Sequence, residues 1–174
     1  MSNRQTAAML DKKLAAKTAK TMFLCGIVMI CSVLAHDFDH IRQSHNWGYT
    51  IPLSLWVLNL TVYIFPVITI FLSKSNRMSA TLVGAIGGIF TTVSFLTLHF
   101  FGSATGLWGI WNFSYFELMK GVTYQGNYYQ GVDWLSWVLL FHIPVFCLPC
   151  SYIGFKNFFR LKREAKEAAE DTVD

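Results

Sequence analysis

Apolar residues in this chain gather into four long blocks. The first runs from Thr21 to Ile41 and carries charge only near its end. The second is Ile51–Leu72, the third Ser79–Phe101 and the fourth Trp134–Phe155, and none of these holds an Asp, Glu, Lys or Arg. Each is about the 20 residues that a helix needs to cross the hydrocarbon core of a bilayer. The pattern predicts an all-α membrane protein, a bundle of four transmembrane helices occupying residues 21–158. Residues 1–20 form a basic leader, and residues 159–174 form a charged tail that continues the fourth helix. The leader, rich in Ala and Lys from Thr6 to Lys20, suits either an amphipathic helix on the inner surface or a solvated lead-in.

The basic residues orient the bundle. Arg4, Lys12, Lys13, Lys17 and Lys20 precede the first block. Lys74 and Arg77 lie between the second and third. Lys156, Arg160, Lys162, Arg163 and Lys166 follow the fourth. These are 12 of the 14 Lys and Arg residues, and only Arg42 and Lys120 fall on the opposite side. The positive-inside rule then puts both termini in the cytoplasm of a plasma or inner membrane. It also leaves a long outer loop between helices three and four, Gly102–Asp133, which holds Trp108, Trp111, Tyr115 and other aromatics. Residues 108–120 suit a short helix in the interface, where such rings favour the boundary between lipid and water. A lid over an outer site is the other use for such a loop.

Composition agrees. Hydrophobic residues make up 53% of the 174, and only 14% are charged, against about 25% in soluble domains. Mean hydropathy is +0.40. The net charge of +4 sits beside the apolar blocks, so bilayer orientation accounts for it and nucleic acid is not an expected partner. The bilayer is the expected one, together with a second copy or a larger membrane complex.

Orientation turns scattered polar residues into a layer. His36, Asp39, His40 and Gln43 recur at spacings of three and four and share one face of helix one, with Asp37 further round. Asn59 on helix two, His99 on helix three and His142 on helix four all fall in the outer half. Polar groups are costly against lipid, so these should turn inward around an outward-opening pocket. His36, Asp37, Asp39, His40, His99 and His142 are the candidate metal ligands, with Asn59, Arg42 and Gln43 lining the pocket. Imidazole and carboxylate suit Zn, Fe or Cu. Two histidines four apart on a helix can meet one ion. A haem held by two histidines is a second possibility, although no c-type attachment motif occurs. A hydrogen-bonded network that only fixes helix packing is a third. His45 should be exposed.

The function expected is therefore a metal or metal-cofactor site for redox or hydrolytic chemistry or metal delivery. A non-catalytic subunit of a membrane complex and a proton or cation transporter are the alternatives. Cys147-Leu-Pro-Cys150 has the spacing of thiol redox pairs, but it lies deep in helix four, and the chain lacks the loop cysteines that four-span membrane disulfide oxidoreductases use. Packing is the simpler use. Ala80, Gly84 and Gly88 form a small-residue row on helix three that suits close helix contact, within the bundle or in a dimer.

Overall fold

The computed structural model describes residues 3–47, 50–51, 53–105, 123–124, 127–128 and 134–170. It contains four long helices: α1 (Asn3–Trp47), α2 (Leu53–Lys74), α3 (Ser79–Thr105) and α4 (Trp134–Glu170). All four are long and apolar enough to cross a membrane. Two short strands, β1 (Thr123–Tyr124) and β2 (Asn127–Tyr128), pair antiparallel between α3 and α4. The expected interfacial helix at 108–120 lies outside the described residues, as do most of the outer loop and residues 1–2 and 171–174.

Helix α1 is longer than its apolar block at both ends. Thr6–Lys20 is a continuous extension of it, with Leu14, Ala15 and Thr18 buried. A separate helix on the inner surface is therefore replaced by one unbroken rod. Ala, Leu and Lys are good helix formers, and nothing between Asn3 and Trp47 breaks the ladder. Helix α4 likewise runs through the charged tail to Glu170.

Helix α2 ends in a Schellman motif. Arg77 N donates to Leu72 O at 2.9 Å and Asn76 N to Ser73 O at 3.0 Å. Asn76 takes the left-handed conformation, φ 49°, which asparagine tolerates. The tight turn sends α3 back antiparallel to α2.

Cross-contacts fix the remaining directions. Lys17 meets Glu164, Cys25 meets Cys150, Ser32 meets His142 and His36 meets Leu139. Numbers rise along α1 as they fall along α4, so these two are antiparallel as well. The result is an up-down-up-down bundle in which each helix packs on the next and α4 closes on α1.

Small residues decide how closely α3 and α4 approach. A side chain at Gly88 would strike Cys147 O and Ser151 Oγ, and a Cβ at Gly154 would lie 2.6 Å from Thr81 O. Gly84 faces Met22 and Thr69. The small-residue row on α3 is thus used inside the bundle. The core around it contains Met22, Met29, Val33, Leu140, Ile143 and Cys147. Large apolar side chains also cover the outside, among them Phe38, Leu60, Phe71 and Tyr152. In water such a surface would drive association, whereas hydrocarbon matches it.

Candidate metal centre

At the end of the bundle opposite both termini, α1 and α3 bring three imidazoles together. His36 and His40 lie one turn apart on α1, and His99 faces them from α3. One ring nitrogen from each of the three lies within 4.8 Å of the other two. The rings of His36 and His99 meet edge to face at 4.8 Å, those of His36 and His40 at 4.6 Å, and those of His40 and His99 stack at 5.4 Å. Phe95, one turn below His99, closes the floor with its ring 4.8 Å from that of His36. His36 and His99 are buried.

Hydrogen bonds assign the tautomers. His99 Nδ1 lies 2.7 Å from Phe95 O, and His36 Nδ1 lies 3.1 Å from Leu139 O. A carbonyl only accepts, so each Nδ1 carries the proton and donates. In the neutral rings each Nε2 then presents a lone pair. These two Nε2 atoms face each other at 3.2 Å. Two lone pairs at that distance repel unless a cation or a shared proton lies between them. Two imidazoles on one tetrahedral Zn²⁺, with Zn–N near 2.05 Å, would hold their nitrogens about 3.3–3.4 Å apart. Metal-bound histidines also commonly donate their other N–H to a carbonyl or carboxylate, as both rings do here.

The other candidate residues form separate groups. Asp39, fully buried, accepts from Arg42 Nη2 at 2.7 Å, Arg42 Nε at 2.9 Å and Gln43 Nε2 at 2.8 Å. Ser136 on α4 joins this network through Arg42 and Gln43. Asp37 points toward α2, where Asn59 Nδ2 donates at 2.8 Å and the Tyr63 hydroxyl at 2.5 Å. Neither carboxylate is among the three groups that form the triangle. His142 is not part of the triangle. Its Nδ1 lies 2.5 Å from Leu139 O and its Nε2 2.9 Å from Ser32 O, so it ties α4 to α1 one layer deeper. It shares the Leu139 carbonyl with His36. His45 is exposed, as expected.

A cavity of about 390 Å³ lies between α2 and α3, with His40 and His99 in its wall. Asn59 lines it, while Arg42 and Gln43 do not. The four cysteines are free, and Cys25, Cys147 and Cys150 are buried in the apolar core.

Four participants escaped the sequence argument: Tyr63, Ser136 and the carbonyls of Phe95 and Leu139. Tyr63 lies one turn beyond Asn59 on the same face of α2, and that spacing was a usable signal. Ser136 and the two carbonyls gave none, since a lone serine and a backbone oxygen look alike anywhere in a span. The chain matches no known protein family, no curated protein and no solved structure, so its function has to be read from the chemistry of the three imidazoles.

Proposed function

We propose that this is a multi-pass membrane protein that binds one first-row transition-metal ion through His36, His40 and His99, in the outer half of a plasma or inner membrane. The observation that carries this is the opposed pair of Nε2 atoms, 3.2 Å apart, on rings whose Nδ1 atoms both face backbone carbonyls. A divalent ion removes the repulsion and uses the tautomers already set. Rotation of the His40 ring brings in the third nitrogen, closing the longest side of the triangle by about 1.4 Å.

Zn²⁺ suits three imidazoles in a tetrahedral arrangement, and three protein ligands with an open fourth position is the pattern of catalytic zinc sites. An ion suits the site better than haem, because rings in edge contact leave no room for a macrocycle between them. Lewis-acid or hydrolytic chemistry at the fourth position follows more directly than electron transfer.

The test is metal analysis of the purified protein. Wild type should hold about one zinc per chain, and Co²⁺ in its place should give visible absorption bands of a tetrahedral site. His36→Ala and His99→Ala should each lose the metal. Equal metal in wild type and variants, or none in either, overturns the reading.

A further inference from the structure

The cavity beside the triangle has an asymmetry that the metal alone does not explain. At its outer end stand His40 and His99. Its remaining wall is mostly apolar, including Leu55, Val62, Phe90 and Val93. Phe90 lies nine residues below His99 on α3, about 13 Å along the helix axis. The space therefore runs from the imidazoles toward the middle of the bilayer. Leu58, Phe90 and Val93 line it and are also exposed on the outside of the bundle, so its mouth opens sideways onto lipid.

Charge narrows the occupant further. Three neutral imidazoles leave a divalent ion with its full +2. Asp37 and Asp39 are engaged by Asn59, Tyr63, Arg42 and Gln43, and among the described residues the lining contains no Asp, Glu, Lys or Arg. An uncompensated charge at this depth is expensive, and an anionic oxygen at the fourth position relieves it. A volume of about 390 Å³ falls within the range of small-ligand pockets and takes one chain rather than two.

On the strength of the metal reading, we infer that the groove between α2 and α3 binds a single-chain lipid carboxylate that arrives from the bilayer, with its carboxylate on the metal and its chain along Leu55, Val62, Phe90 and Val93. The headgroup sits at the outer end of the groove, as it does in the outer leaflet, so the lipid need not turn over to bind.

Trp56 lines the groove and reports on it. The protein in nanodiscs, with zinc or after chelation, is titrated with a saturated straight-chain carboxylic acid brominated a few carbons from its carboxyl group, because Trp56 lies near the imidazole end of the groove. Quenching that is lost in Trp56→Phe isolates the signal from this site. Zinc should tighten that saturable quenching about tenfold or more, and the uncharged alcohol of equal length should not respond to zinc. Ser94→Phe on α3 and Leu55→Trp on α2 fill the groove from opposite walls. Both should retain one zinc per chain, which also reports folding, and lose the zinc-dependent quenching. A wild-type protein that binds zinc but shows no zinc-dependent quenching overturns the lipid inference and leaves the metal site standing. An equal zinc response from the alcohol overturns the carboxylate. A protein that binds no zinc overturns the metal reading, and the lipid inference with it.

Discussion

Two backbone carbonyls, Phe95 O and Leu139 O, decide what His36 and His99 offer each other. They hold the protons on Nδ1 and leave the Nε2 lone pairs to converge. The three histidines of the triangle were legible by different routes. His36 and His40 follow from their spacing on one helix, and His99 from its depth alone. His142 lies one layer deeper and has a different role, because residue spacing fixes neither depth to within a turn nor the rotation of a helix about its axis. Gly88 on α3 and Gly154 on α4 mark the faces on which these two helices touch, and no pattern of apolar residues encodes that rotation. His142→Ala should therefore retain full metal content, measured by elemental analysis, while losing about 1–3 kcal/mol of stability in a denaturant titration. Tyr63→Phe leaves Asp37 with Asn59 as its remaining side-chain donor among the described residues. It should cost a similar 1–3 kcal/mol, again without loss of metal.

At the scale of the helix, each span was legible, as were the starts of α3 and α4 and the helical tail, whereas the ends of α1 were not. Apolarity marks where lipid begins, whereas a helix continues as long as its residues favour the ladder. That is why α1 reaches Asn3 and Trp47, well beyond the block at 21–41. Contacts between helices depend on features of single residues. Gly88→Val should destabilise the bundle by about 1–3 kcal/mol, the usual cost of overpacking, because the new side chain meets the Cys147 carbonyl and cannot displace backbone cheaply. Thermal unfolding in detergent would measure it, and an unchanged midpoint would show that α3 and α4 part easily. At the histidine end of the bundle, Asp39→Asn removes the charge that Arg42 faces. Breaking a buried ion pair costs about 3–5 kcal/mol, and the lower end applies because Arg42 is partly exposed.

Across the whole molecule, the Lys17–Glu164 pair at 2.6 Å puts the extension of α1 and the tail of α4 at one end of the bundle. The positive-inside rule assigns that end to the cytoplasm. Cysteines introduced singly at residues 12 and 166, in a protein freed of its native thiols, should both resist a membrane-impermeant maleimide until the membrane is opened. Labelling of either in sealed cells would reverse the orientation. The 45 residues of α1 extend about 68 Å, more than twice the hydrocarbon thickness of about 30 Å. Two of the three imidazoles and the basic extension therefore ride on one shaft, with His36 about 28 Å from Lys17 along it. The extension cannot turn about its axis without sweeping His36 and His40 past His99. Torque on the far end of α1 becomes a change in the shape of the histidine triangle, and on the proposed metal reading a change in how tightly the triangle would grip an ion.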